Sequence, residues 1–409
     1  MCSGRTAVRP RLKIQSGIKS AINKINMNTI PSNLKYLLLS LLLVSCSGLR
    51  IERALKVAPN DWTQYGGSPA RANTSPIPLK PPFEEVWEYN ALAGISASPL
   101  VRDSMVIITT LNGELQVVNI TTGNRVGYVI LESAIAGTPA LDNLDAAIVP
   151  IAGGEETLIS MSLRNSTERN WTAKLGYIES SPLIANEEVY VTTMRGLVHC
   201  LKKKDGEEVW EFKTGTDDRR KPVRSSPATD GQLIFFGGDD GFLYALEKTT
   251  GALKWKFNAG SPVFATPVLV NQSVIIPSYN GIVYSIDAAT GTVRWQYDAG
   301  TRVFGSAAAS AQAVYVGSSD GYCHAIDLAS GKQLWRFETK SGVSSPPLIA
   351  GDVLYWGSQD RTLYALDAQS GRELWKYDAL GRIRVPPVIW GNLLLVTSED
   401  KYIVALRPI

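Results

Sequence analysis

An all-β, eight-bladed propeller is the fold class the sequence predicts, and three observations predict it. A motif recurs at an interval of about forty residues in four nearly regular copies. They are residues 245–255 (ALEKTTGALKW), 285–295 (SIDAATGTVRW), 325–335 (AIDLASGKQLW) and 365–375 (ALDAQSGRELW). Looser copies carry the series back through Trp210, Trp171, Tyr128 and Trp87. Between these anchors, apolar stretches of strand length alternate with Asn-Gly or Asp-Gly pairs, the signature of antiparallel hairpins. A fixed period of this length marks units that bury a face only against their neighbours, and four antiparallel strands per unit make a propeller blade.

The elements follow in order. Residues 1–45 read as a leader, with residues 1–26 ahead of the true start at Met27. Its basic residues are Arg5, Arg9, Arg11, Lys13, Lys19, Lys24 and Lys35, with no acidic residue among them. After Lys35 comes an apolar run, YLLLSLLLV, too short to span a bilayer as a helix. It ends in Leu43-Val44-Ser45-Cys46, and a charged lead, short apolar core and small residues before a cleavage point describe a secretory signal. Residues 46–60 read as a linker, and residues 61–409 as a single propeller.

Each blade opens on a Ser/Thr-Pro pair: Ser98-Pro99, Thr138-Pro139, Ser181-Pro182, Ser226-Pro227, Thr266-Pro267 and Ser345-Pro346. A second strand follows, then a two-residue turn at Asn112-Gly113, Asp240-Gly241, Asn280-Gly281 or Asp320-Gly321. A third strand such as Leu363-Tyr364-Ala365-Leu366 suits burial on both faces, and the fourth carries the tryptophan as an apolar dock for the next blade. The last copy runs out before its tryptophan, so the segment around Trp87 is expected to complete it and close the ring. Blade two lacks the Asp-Gly turn.

Composition excludes several functions. The chain has 41 basic and 38 acidic residues; without the seven of the leader, 34 basic face 38 acidic, a net charge of −4. Nucleic-acid binding needs a concentrated basic face, so none is expected. The two histidines, His199 and His324, fall in different repeats at the position where other blades have Tyr244, Tyr284 and Tyr364. They read as packing residues, and no metal site is expected. Asp287, Asp327 and Asp367 sit at a turn, where capping of backbone N–H groups is their expected work. Neither a phosphate loop nor a nucleophile elbow occurs, so no catalytic residue and no cofactor is assigned. Cys200 and Cys323 are expected to be buried thiols.

The A-x-D-x-x-[ST]-G-x-x-x-W repeats and the opening Asp61-Trp62-Thr63-Gln64-Tyr65-Gly66-Gly67 resemble the PQQ-like eight-bladed propellers over residues 61–408. With a lipobox ahead of one bare propeller, the chain is most similar to the BamB lipoproteins of outer-membrane β-barrel assembly. That resemblance implies lipidation at Cys46, a place on the periplasmic face of the outer membrane, envelope proteins as partners, and no enzymatic role. The related quinone-dependent dehydrogenases usually carry an adjacent cysteine pair, which is missing from this sequence.

Two departures from regularity mark candidate sites. Residues 214–224 (TGTDDRRKPVR) lengthen the connection into blade four and carry Asp217, Asp218, Arg219, Arg220 and Lys221, a candidate partner loop or a solvated one. The residues two before each blade opening form a ring at the channel mouth: Ser96, Ala136, Glu179, Arg224, Phe264, Phe304, Ser344 and Arg384. Aromatic rings flanked by guanidinium groups suit an anionic or extended peptide ligand, and suit equally a plug of the channel. The open alternatives are therefore a scaffold, a short quinoprotein oxidoreductase, and a cell-surface ligand sensor.

Overall fold

The computed structural model describes residues 48–409 except 132, 143, 144, 167 and 216–219. Cys46 and the leader lie outside the described residues, as do Asp217, Asp218 and Arg219. Every regular element described is a strand, and the strands form eight sheets in a propeller. Seven blades follow chain order: blade one (100–130), two (140–173), three (183–213), four (228–258), five (268–298), six (308–338) and seven (348–378). Blade eight joins Val388–Trp390, Leu393–Thr397 and Tyr402–Pro408 to an outer strand from the N-terminal side, Phe83–Asn90. Trp87 there pairs with Ala405, so the ring closes as the sequence predicts.

Tryptophans latch six of the eight blade junctions. Trp295 Nε1 donates to the Leu328 carbonyl of blade six at 2.7 Å, and Trp87, Trp171, Trp210, Trp255 and Trp335 make the equivalent bond. Beneath each indole lies a glycine of the neighbour's last turn. A Cβ on Gly331 would come within 2.7 Å of the Trp295 ring, and Gly123, Gly206, Gly251, Gly291 and Gly371 stand in the same place. These glycines also have positive φ, so two independent requirements select glycine in the repeated Ser/Thr-Gly. The aspartate ahead of that turn caps it: Asp327 Oδ1 accepts the Ser330 N–H at 2.8 Å, and Asp287 and Asp367 do likewise.

Three details depart from the sequence reading. The residue opposite the central strand in blade one is Gly127, paired with Val117, and Tyr128 stands one place beyond. Blade one therefore has no latch tryptophan. Likewise the opening position of blade seven is Pro346 rather than Ser345, since Pro346 lines the channel with Ser306 and Ser345 bonds Val385 as Ser225 bonds Ala265. Finally, the turn between second and third strands has three residues, not two. Gly238 N–H donates to the Phe242 carbonyl at 2.8 Å and Gly241 N–H to the Gly238 carbonyl at 3.1 Å; in this turn only Gly241 has positive φ. This is a turn closed by one left-handed residue, which leaves Asp240 free to bond the Phe242 N–H.

The opening hydroxyls tie blades together around the channel. Ser98 N–H donates to Thr138 Oγ1, Thr138 N–H to Ser181 Oγ and Ser181 N–H to Ser226 Oγ, each at 2.9 Å. Thr266 N–H reaches Ser306 Oγ at the same distance. The chain of bonds stops at Pro346 and Pro386, which have no hydroxyl.

Residues 49–58, read above as linker, are packed. Leu49, Ile51 and Leu55 are buried, and Leu49 covers Gly127, filling the space a tryptophan would take. Arg50 bridges to Asn165, and the Leu55 and Lys56 N–H groups donate to Asp145 and Asp103. Residues 61–75 then run round the channel as a collar. They bond successively to Val101, Leu141, Ile184, Thr229, Leu269, Ala309 and Ile349, the inner strands of blades one to seven, while Asp61 accepts from Trp390 of blade eight. Arg71 at the centre is fully buried and donates to the carbonyls of Tyr65, Pro182 and Pro227 at 2.5, 3.0 and 3.1 Å. Burial lowers its pKa to about 9, so it stays charged at neutral pH.

The outer strands differ in one respect. On seven of them the residue after the tryptophan is polar and exposed: Glu88, Thr172, Glu211, Lys256, Gln296, Arg336 and Lys376. Blade one has Tyr128 there, and Ile130 two places further, where other blades have Lys213, Asn258, Asp298, Glu338 or Asp378.

Both remaining cysteines are buried and unpaired, and burial pushes the Cys200 thiol up to about 12. His324 is also buried, with Nε2 3.0 Å from Ser318 Oγ and Nδ1 2.9 Å from the Tyr297 hydroxyl.

Two predictions follow from these contacts. Trp295→Ala should cost about 3 kcal/mol and Gly331→Ala about 2 kcal/mol, with the double variant losing clearly less than the sum, because the added methyl clashes only while the indole is present. Urea midpoints of the four proteins test this; additive losses would contradict the latch. His324 has its pKa lowered to about 4, first by burial and then by Arg336, against Asp320. The unfolded chain takes up that proton near 6.5, so stability should decline by up to about 3 kcal/mol as pH falls from 6.5 to 4. His324→Tyr, the residue of sibling blades, should remove that share of the acid sensitivity. Parallel pH profiles for the two proteins would contradict it.

Candidate functional site at the channel mouth

The mouth residues stand where they do because the chain enters each inner strand from the channel rim. Ser96, Ala136, Glu179, Phe264, Phe304, Ser344 and Arg384 surround one cavity of about 200 Å³, walled by the opening hydroxyls and reached from the collar side by Tyr65. Tyr65 hydroxyl lies 3.4 Å from Ser306 Oγ. The collar meets the far ends of the same inner strands, so the mouth is a cup rather than a through-channel.

The eighth ring residue, Arg224, is turned aside. Its guanidinium bonds the Asp239 carboxylate, lies 3.5 Å from Glu179 and stacks 5.4 Å from the Phe264 ring. Arg384 is likewise paired, 3.2 Å from Glu399. Asp239 is mostly buried, and desolvation raises its pKa although Arg224 opposes the shift. Neither arginine is free to hold an anion, as an anion-gripping mouth would need.

Asp239 and Glu399 belong to a second ring that the sequence reading missed. The three-residue turn places one extra residue against each mouth position. Tyr279, Ser319, Gln359 and Glu399 each donate a backbone N–H to the segment leading into the inner strand. Gln359 Nε2 bonds Ser344 Oγ at 3.2 Å. Tyr279 fits between Phe264 and Phe304, edge-to-face with both at 5.3 Å, and the Arg302 guanidinium lies 5.3 Å from its ring. Phe304 remains 44% exposed. The mouth therefore presents an aromatic ledge across blades five and six. The signal for it was the residue just before each Asx-Gly pair, which a two-residue turn would have pointed elsewhere.

The other candidate site is only partly described. The ends of the 214–224 connection are pinned to blade three: Thr214 N–H donates to the Gly196 carbonyl at 3.1 Å and Val223 N–H to Thr193 at 3.1 Å. Arg220 packs its Cβ beside Gly196, and Lys221 is exposed.

His199 has a neighbourhood that spacing did not reveal. Its Nδ1 lies 2.6 Å from Glu208 and 3.9 Å from Glu211, both on the next strand, where His199 pairs with Glu211. Among the described residues this is one group able to offer three ligands to a cation. It sits on the outer strands, away from the channel.

Comparison with known proteins follows the architecture. The family model described as outer membrane protein assembly factor BamB matches residues 131–212, 206–341 and 319–408. The assembly factor BamB of Shewanella oneidensis is 25% identical over 47% of this chain and 60% of its own length. That of Burkholderia pseudomallei is 29% identical over 26% of this chain and 27% of its own length. The quinoprotein alcohol dehydrogenase PedH of Pseudomonas putida is 28% identical over 24% of this chain and 18% of its own length. The chain thus matches less than two thirds of the length of these curated relatives, from 18% to 60%. Among solved structures, BamB of Moraxella catarrhalis superposes with a TM-score of 0.68 at 21% identity, covering 80% of this chain and all of that one. Quinohemoprotein alcohol dehydrogenase of Comamonas testosteroni gives 0.73 at 13% identity, covering 85% of this chain and 80% of that one.

The two arginine pairs should differ in weight. Arg224→Ala strands a mostly buried carboxylate and should cost about 2 kcal/mol, whereas Arg384→Ala frees a solvated Glu399 and should cost less than about 1 kcal/mol. Equal shifts in urea midpoint would contradict this reading of the mouth.

Proposed function

Because this chain belongs to the family of the outer membrane protein assembly factor BamB, matched over its residues 131–408, we propose that it is a lipid-anchored, non-enzymatic scaffold serving outer-membrane protein assembly. The observation that carries the reading is the chemistry of the mouth. Its charged groups are already committed to one another, and what remains open is an aromatic ledge of Phe264, Tyr279 and Phe304. Such a surface suits contact with another protein, where aromatic anchors carry binding and polar rims exclude water. The lipobox cysteine, Cys46, supplies the membrane tether, and the periplasmic face of the outer membrane is the expected location.

An oxidoreductase is the competing reading, since quinoprotein dehydrogenases share the fold. A quinone held over a metal does not fit the residues lining this channel. Around the cup stand hydroxyls, prolines, two phenylalanines and Arg384, and the carboxylate among its described lining residues, Glu179, lies beside Arg224. The described cation-capable group, His199 with Glu208 and Glu211, lies elsewhere.

Cys46→Ser should abolish incorporation of labelled palmitate and release the protein from membranes. A tagged wild-type chain, extracted gently, should bring envelope assembly proteins with it, and Phe304→Ala with Phe264→Ala should weaken that recovery without lowering the urea midpoint appreciably. Recovery of the chain alone, or dye-linked dehydrogenase activity on adding quinone and calcium, would overturn the proposal.

A further inference from the structure

Blade one gives up two things that its siblings keep. It has Gly127 where they have a tryptophan, and Tyr128 and Ile130 where they have polar residues. The first loss is explained by Leu49, which lies where a Cβ on Gly127 would meet its Cα and Cδ1 at 3.1 Å. The second has no such partner. Side chains alternate along a strand, so Tyr128 and Ile130 share the face opposite Gly127, with Val126 at the bulge beside them. Val126 is 41% exposed, as Val209, Leu334 and Leu374 are at the same place on sibling strands, but those strands turn polar at the next two outward positions, where blade one keeps Tyr128 and an Ile130 that is 62% exposed.

We infer that the outer strand of blade one, Arg125–Ile130, rests on the phospholipid surface, with Val126, Tyr128 and Ile130 at the boundary of headgroups and acyl chains. Two observations support this occupant. The chain enters the disc here: the Gly48 carbonyl lies 3.6 Å from the Cβ position of Gly127, and Cys46 is two residues earlier, within about 7 Å of extended chain. A lipid on Cys46 would tether the chain two residues before Gly48, and so at blade one. Arginines are at hand: Arg125 lies 4.7 Å over the Tyr128 ring, and Arg50 and Arg164 are exposed beside the entering chain. Tyrosine and arginine over an apolar stripe is the composition of an interfacial contact, where amphipathic side chains keep their polar ends among headgroups. The strand's unpaired backbone groups stay hydrated at that depth, so no open edge enters hydrocarbon.

The consequence is an orientation. A disc standing on the rim of blade one leaves both of its flat faces, and the channel mouth, open to partners.

The inference rests on the lipid anchor of the proposed function, and the test separates the two. The full chain, matured in a Gram-negative host, is placed in phosphatidylethanolamine–phosphatidylglycerol vesicles containing a doxyl-lipid quencher. An environment-sensitive fluorophore is attached at Ile130→Cys, or at Leu334→Cys on the outer strand of blade six. Emission from position 130 should shift to the blue and be quenched severalfold more than emission from position 334. Equal, weak quenching at the two positions, with mass spectrometry showing the acyl mass on Cys46, would overturn the membrane contact and leave the anchor standing. Strong quenching at position 130 without that mass would support the contact and overturn the anchor. A blue shift that requires an added extended peptide instead of vesicles would overturn the contact in favour of strand pairing with a protein.

Discussion

The fold depends on an indole resting on a left-handed glycine of the next blade. A propeller blade cannot bury both faces alone, so its stability comes from nearest-neighbour contacts repeated around the ring. At six of the eight junctions the contact combines apolar burial with a bond from Nε1 to a carbonyl, as in Trp295 to Leu328, while Trp375 packs edge-to-face on Phe83. The carbonyl belongs to the end of the neighbour's third strand, and the glycine to the turn that follows. The glycine is needed twice over, for its backbone conformation and for the room its missing Cβ leaves. The capping aspartate completes the turn, which is why Asp, Ser/Thr, Gly and Trp recur at fixed spacing although they serve two different blades.

The N-terminal segment unites parts that the repeat cannot supply. It covers Gly127 in place of a tryptophan, forms the collar under the channel, and then provides the outer strand of blade eight. Arg71 fastens the collar by donating to three carbonyls, two of them on separate blades. A planar guanidinium with several donors can span such acceptors, where an ammonium could not reach them together. Closing the ring through Trp87 and Ala405 joins chain regions more than three hundred residues apart, a long-range pairing that comes late in any folding order dominated by local hairpins.

At the mouth, one structural detail changes the chemistry. A three-residue turn, rather than two, sets Asp239, Tyr279 and Glu399 against the ring of residues that open each blade. Two arginines that look available in the sequence are neutralised by those turns, and two phenylalanines become a ledge of three rings. A surface that seemed suited to an anion thus presents aromatic rings and paired charges instead.

Much of this was legible in the sequence. The period of the tryptophans set the blade count, the Asp-x-x-[ST]-Gly spacing set the capped turns, and the truncated last copy required the segment near Trp87 to close the ring. These are local patterns, and local geometry enforces them. The ring of mouth positions was legible for the same reason, because it keeps a fixed offset from each strand. What only the tertiary structure decided involves partners far apart in the chain: Leu49 over Gly127, the collar against seven inner strands, Arg224 with Asp239, and His199 with two glutamates across a strand pair. A repeat specifies what every blade does alike. Where blades differ, the outcome rests on which side chain or segment the closed ring brings into the vacated space, and packing in three dimensions settles that.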